Sequence, residues 1–269
     1  SSRSGANKYA WGEDAMAWQL DLSGKNGLVT GAASGIGKGA ALHLAAMGAS
    51  LALVDVNPAG TEATAQEIRS AGGARTVAIQ ADAADETQVN QAVAKALAEL
   101  GAIDFLVNGH GILRRTKFLE IDSAEWDLMI GVNLRACFLF CKAVLPHMQD
   151  RGQGVIVNVA SLAGRTCSIL GGAHYTTAKH GLVGLSRHLA REFAPFGIRV
   201  NAFCPGATLT PMVINSTPQA ERDRVTAAIP RGRIATPEEQ AWVIGFLVSD
   251  ASVNITGACL DSNGGSIMI

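Results

Sequence analysis

Residues 27–39 read GLVTGAASGIGKG. A short apolar run meets glycines at positions 31, 35 and 37, a GxxxGxG spacing, and a helix-like stretch opens behind them. Gly31 allows a sharp turn off a strand. Gly35 and Gly37 allow backbone to approach closely and a helix to sit tightly on a sheet. Strand, glycine turn and helix in that order form the first half of a βαβ unit, and the rest of the chain repeats the alternation.

The apolar runs that read as buried strands are GLVTG (27–31), SLALVD (50–55), TVAIQAD (76–82), DFLVNG (104–109), GVIVNVAS (154–161), RVNAFCPG (199–206) and ACLDSNG (258–264). Helical stretches lie between them at 35–48, 58–72, 85–100, 123–150, 174–196 and 237–249. Strands rich in Val, Ile and Leu without polar alternation predict a sheet covered on both faces. Repeated strand–helix–strand order predicts parallel pairing with right-handed crossovers. The expected fold is therefore α/β: one doubly wound, Rossmann-like domain over 23–269, with a parallel sheet of about seven strands. The segment 207–236 breaks the pattern. It carries Pro211, Pro218 and Pro230, ends just before Pro237, and is too long for an ordinary connection. A lid is expected there. Residues 1–22 lack the basic start and apolar centre of a secretory signal. They read as an extension outside the fold, in part a cloning remnant.

An apolar fraction of 48% against 17% charged residues supports a sizeable core and argues against disorder. A net charge of −1 with no basic block argues against nucleic-acid or membrane-surface binding. No apolar run reaches the ~20 residues of a membrane span. Cysteines 137, 141, 167, 204 and 259 form no CxxC pair, which fits free thiols in a reducing cytoplasm. No HExxH or comparable ligand set occurs, so no catalytic metal is expected.

A glycine turn between a buried strand and a helix suits a dinucleotide. The helix N-terminus offers free N–H groups and the positive end of its dipole to a pyrophosphate. No GK[ST] follows, so it is not a Walker loop. Asp55 ends the second strand, 24 residues after Gly31. A carboxylate there accepts hydrogen bonds from a ribose and repels a 2′-phosphate, and no Arg or Lys adjoins it. NAD(H) is therefore expected rather than NADP(H). Asp82, at the end of the third strand, suits either an adenine amino group or a cap for the next helix.

Residues 174–182 read HYTTAKHGL. Tyr175 and Lys179 lie one helical turn apart on one face. An ammonium near a phenol favours the phenolate, which suits proton exchange with an alcohol or carbonyl oxygen. Ser161 ends the fifth strand, at the sheet edge where ligands of such folds bind, and can hold that oxygen.

These residues together resemble the short-chain dehydrogenase/reductase family over about 23–265. TGAASGIG (30–37) resembles its cofactor motif, NGHG (108–111) its NNAG motif, Ser161 with Tyr175 and Lys179 its serine and YxxxK, and PGATLTPM (205–212) its nicotinamide-contacting segment. The resemblance implies that Tyr175 is the general acid/base and that Lys179 binds the nicotinamide ribose and favours the phenolate. Ser161 would polarise the substrate oxygen, and Asn133 would hold a water that relays protons to Lys179. It places Ser34, Ile36, Asn108, Gly109, Pro205, Gly206, Thr208 and Thr210 around the cofactor. A homotetramer or dimer through helices 123–150 and 174–196 is implied too, with Phe138, Phe140 and Leu145 at that interface or in the core.

His110 departs from the motif, where a small residue is usual. It reads as loop bulk or as a contact to substrate or ribose. Cys167, His174 and Met212 read as substrate walls, and Arg114, Arg115 and Lys117 as solvated charge. The expected activity is an NAD-dependent oxidoreductase acting on a small secondary alcohol or ketone. The alternatives are an NADPH-dependent 3-ketoacyl-type reductase and a dinucleotide-binding scaffold without catalysis.

Overall fold

A computed structural model describes residues 20–269. Seven parallel strands run in the order β3-β2-β1-β4-β5-β6-β7: β1 Asn26–Thr30, β2 Ser50–Asp55, β3 Thr76–Gln80, β4 Phe105–Asn108, β5 Gly154–Val159, β6 Ile198–Pro205 and β7 Cys259–Ser262. The expected strands and helices fall within a few residues of the observed ones. The helices are α1 Gly35–Ala46, α2 Pro58–Ser70, α3 Glu86–Leu100, α4 Ser123–Ile130, α5 Ala136–Arg151, α6 Ala173–Phe193, α7 Pro211–Ser216, α8 Gln219–Ala228 and α9 Pro237–Val248.

Successive strand residues face opposite sides, and both sides are dry. Leu28, Ala52, Leu106 and Ile156 pack with α3 and α5 in one cluster. Val29, Leu53, Val107 and Val157 pack with α1 and α9 in the other. Apolar runs without alternation are the direct result. The register pairs Thr30 with Val54 on one side and with Asn108 on the other, so β1 is the strand at which the order reverses. Clefts form beyond the carboxyl ends of strands at such a switch point.

Leu22 is buried and its N–H donates to Met47 O at 2.7 Å, so the fold already includes this last residue of the expected extension. Residues 1–19 lie outside the described part. The segment 207–236 is not a bare loop but holds α7 and α8. Thr210 caps α7, accepting from the Val213 N–H at 3.3 Å, with Pro211 at the first helical position. The expected helix 123–150 is two α-helices joined by a π-helical turn over Gly131–Arg135. Contrary to the expectation from sequence, this continuous run, Ser123–Arg151, is long and apolar enough to cross a membrane by length and composition. Half of its most apolar stretch is buried within the fold. It is the core helix of one sheet face. Arg199 holds the end of α9, donating to Leu247 O at 3.0 Å and Ser249 O at 3.1 Å.

Candidate active site

β1 and β4 end side by side, and the chain leaves both through glycine. Gly31 has φ +70°, and a Cβ there would stand 2.7 Å from His110 N. A Cβ on Gly37 would lie 2.2 Å from Gly31 O, and one on Gly109 2.7 Å from Thr30 O. Backbone packs on backbone here, and side chains are sterically excluded. Gly35 has φ +56°, and a Cβ there would stand 3.2 Å from the Thr210 methyl group. Ser34 sits at the N-cap of α1 with its side chain exposed and making no capping bond, so its hydroxyl and the first helical amides are free to meet an anion. This cradle fits a pyrophosphate.

Asp55 lies at the rim of the same cleft. One carboxylate oxygen accepts from Ala33 N at 3.2 Å and the other from Asn57 N at 3.0 Å, which fixes its orientation and leaves lone pairs for ribose hydroxyls. Asp82 is exposed at the end of β3 and accepts from Ala84 N at 2.9 Å. The cap of α3 is Asp85, which accepts from Thr87 N and Gln88 N.

Several expected contacts turn inward instead. Asn108 is fully buried; its amide donates to Asn158 Oδ1 at 2.8 Å, and Asn158 donates to Ser186 Oγ at 2.9 Å. This chain of bonds ties β4, β5 and α6 together, so the Asn108 side chain serves the sheet and only its backbone borders the cleft. Thr208 is buried too, donating to Gly206 O at 3.1 Å and lying 3.3 Å from the Gln240 amide. Thr210 is the threonine that meets the glycine turn. Pro205 ends β6 beside Ser262, and Gly206 N donates to Ser262 O at 3.0 Å. Ile36 packs partly into the core under α1.

Ser161 follows β5. Its Oγ accepts from Ala163 N at 3.0 Å, so its hydroxyl proton remains free to donate outward. The turn it opens packs directly on α6: a Cβ on Gly164 would stand 2.7 Å from Lys179 O. Arg165 in that turn donates through Nε to both oxygens of Asp261 on β7, at 3.2 and 3.3 Å. Lys179 is buried, and its Nζ donates to Val159 O at 2.9 Å while lying 5.7 Å from the ring centre of the half-buried Tyr175. Asn133 sits in the π-helical turn. Its amide donates to Met129 O at 3.0 Å, and its Oδ1 accepts from Ile112 N at 3.1 Å. Gly111 leaves the space between Asn133 and Lys179 open: a Cβ there would stand 2.9 Å from Asn133 Oδ1 and 3.6 Å from Lys179 Nζ.

Two expected substrate contacts are corrected. His110 is buried with both ring nitrogens engaged, Nδ1 at 2.6 Å from Thr30 Oγ1 and Nε2 at 3.5 Å from Cys137 Sγ. His174 is fully buried, bonded to Glu125 and to the Tyr175 amide. Neither lines the cleft, because each has its polar atoms taken by the protein interior. Cys167 and Met212 are exposed. Arg115 is not merely solvated. It donates to Ser216 O at 3.1 Å and pairs with Glu221, bridging the loop after β4 to α7 and α8. Sequence gave no signal for Arg115 or Glu125, since their partners lie about 100 and 50 residues away. Among the described residues no cluster of His, Cys, Asp or Glu suits a metal.

A family profile described as enoyl-(acyl carrier protein) reductase matches residues 31–266. The D-threitol dehydrogenase of Mycolicibacterium smegmatis is 40% identical over 253 residues, covering 94% of this chain and 96% of that one. The 3-oxoacyl-[acyl-carrier-protein] reductase of Thermotoga maritima is 36% identical over 249 residues, covering 93% and 100%. A crystal structure of a 3-oxoacyl-[acyl-carrier protein] reductase with bound NAD from Brucella melitensis superposes with a TM-score of 0.84 at 33% identity, covering 93% and 94%. With the glycine cradle at the switch point and the Ser161, Tyr175 and Lys179 cluster at one sheet edge, these likenesses show that the chain belongs to the short-chain dehydrogenase/reductase family of oxidoreductases.

Proposed function

We propose that this chain is an NAD(H)-dependent oxidoreductase acting on a secondary alcohol or ketone, with Tyr175 as general acid/base. The observation that carries the reading is the buried Lys179 one turn below the half-buried Tyr175, at the carboxyl edge that also bears Ser161 and the glycine cradle. A bound nicotinamide dinucleotide supplies or accepts the hydride. The residues of the chain do the rest. Ser34, Gly35 and Gly37 cradle the pyrophosphate, Asp55 takes the adenosine ribose and Thr210 the nicotinamide end. Ser161 donates its free hydroxyl proton to the substrate oxygen. Tyr175 gives that oxygen a proton in reduction and takes it back in oxidation. Lys179 holds positive charge beneath the phenol, with Asn133 beside it as the route for proton supply.

Asp55 favours NAD(H) because a 2′-phosphate would meet a carboxylate with no adjacent Arg or Lys. Cys167 and Met212 are assigned to the substrate side of the cleft, 207–236 to its lid, and the chain to a homotetramer or dimer in the cytoplasm. The second reading, an NADPH-dependent 3-ketoacyl-type reductase, draws on the Thermotoga relative. Separate titrations with NADH and NADPH divide the two: tighter binding of NADH by tenfold or more supports the first, and preference for NADPH supports the second. Tyr175→Phe is expected to bind NADH as the wild type does and to lose about 10²–10⁴ in kcat. Turnover at the wild-type rate overturns the role of Tyr175.

A further inference from the structure

Acid/base chemistry needs the Tyr175 phenol in one place, yet α6 begins at a glycine. Gly172 occupies the N-cap and has no side chain to bond the first amides of the helix. Tyr175 is the third residue of that helix. Its N–H donates to the Nδ1 of the preceding residue, His174, at 2.8 Å, as well as to Gly172 O at 3.1 Å. An Nδ1 that accepts carries no proton, so the ring proton is on Nε2. Nε2 donates to Glu125 Oε1 at 2.8 Å. Thr116 first and His174 second hold Glu125 below the usual carboxylate range. Beside this, Gly172 N donates to Arg114 O at 2.9 Å. The loop after β4, α4 and α6 therefore converge on the backbone amide of Tyr175, and a fully buried imidazole joins them. A Cβ on Gly172 would stand 2.7 Å from Thr116 O, so no N-cap side chain fits there and His174 supplies the acceptor from inside the helix.

We propose that His174 is a positioning residue that fixes Tyr175 through its backbone amide, and that Glu125 holds the imidazole in the tautomer this requires. The proposal rests on Tyr175 being the general acid/base. His174 itself touches neither substrate nor cofactor.

The amide oxygen of Asn occupies the place of Nδ1, whereas the Gln side chain reaches the place of Nε2. The test compares His174→Asn, His174→Gln and Glu125→Ala in the full chain, measuring kcat, substrate KM and NADH Kd on an alcohol or ketone that the wild type turns over. His174→Asn is expected to keep kcat within about threefold of wild type. His174→Gln is expected to lose about tenfold to a hundredfold in kcat with NADH Kd unchanged, as for a misplaced reacting group. Equal kcat for the two variants, high or low, overturns the proposal. If neither folds, Glu125→Ala decides. A fall in kcat at unchanged NADH Kd supports the proposal, and kcat within about twofold of wild type overturns it. Wild-type protein that turns over no alcohol or ketone with either nucleotide defeats the functional reading instead. Amide hydrogen exchange across residues 172–178 then carries the test: protection lost in His174→Gln and kept in His174→Asn supports the proposal, and equal protection overturns it.

Discussion

His110 sits where β1 and β4 come closest, between the Thr30 hydroxyl and the Cys137 thiol, with the Phe140 ring 5.9 Å away. Burial first and the charge of Lys179 second hold its pKa down to about 3. Burial pushes the Cys137 thiol up to about 11, so the pair is neutral in the native protein. The unfolded chain takes up the His110 proton near pH 6.5, and the folded chain does so only near pH 3. Between those values the unfolded state binds more protons, so stability falls as pH is lowered. Urea melts at a series of pH values are expected to show a declining midpoint below pH 6.5, and a shallower decline in His110→Asn. The sequence marked His110 as a departure because its neighbours fit a motif. It did not show which way the ring turns, since Thr30 and Cys137 meet it only after β1, β4 and α5 have packed.

At the level of elements, the helix from Ser123 to Arg151 shows what periodicity can and cannot reveal. Its extent was legible. The π-helical turn at Gly131–Arg135 was not, because no residue type marks an i→i+5 bond and Gly-Val-Asn-Leu-Arg reads as ordinary helix. That turn is where the Asn133 amide reaches both Met129 O and Ile112 N. Asn133→Ala leaves the Ile112 N–H without its partner and is expected to cost about 1–3 kcal/mol of stability. Denaturant melts measure the loss, and a fall in kcat with NADH binding retained would accompany it. The 207–236 segment was legible as an interruption, and Thr210-Pro211 carries a readable helix start. Its attachment was hidden: Arg115 reaches Ser216 O and Glu221 from the far side of the cleft. Glu221→Gln is expected to loosen this clasp and to raise substrate KM by up to about fivefold, the range of one partly exposed ion pair, with NADH Kd unchanged. Steady-state kinetics and nucleotide titration check it.

For the whole molecule, strand order and direction followed from the alternation of apolar runs, because right-handed crossovers leave few topologies open. Side-chain commitments across the sheet did not follow. The Asn108, Asn158 and Ser186 chain joins residues that look like ordinary strand ends and helix interior in the sequence. The question left between interface and core for three residues divides: Phe140 and Leu145 are buried, while Phe138 is 43% exposed. Near it in the chain Leu119 is 94% and Leu128 45% exposed, and Trp242 on α9 is 60% exposed. Large apolar side chains left in water favour association where they adjoin. Light scattering is expected to give a mass of two or four chains, and Phe138→Asp to lower it.

The Arg165–Asp261 pair also bears on how the enzyme is born. Synthesis proceeds from the N-terminus, and the parts made first can fold first. Arg165 stands in the turn that carries Ser161, but its partner belongs to the last strand of the sheet. Cofactor cradle, tyrosine and lysine are all translated before Asp261 exists. The serine turn gains its anchor only once β7 has been made, 96 residues after Arg165, so the edge that bears Ser161 is pinned later than the cradle at β1 is formed.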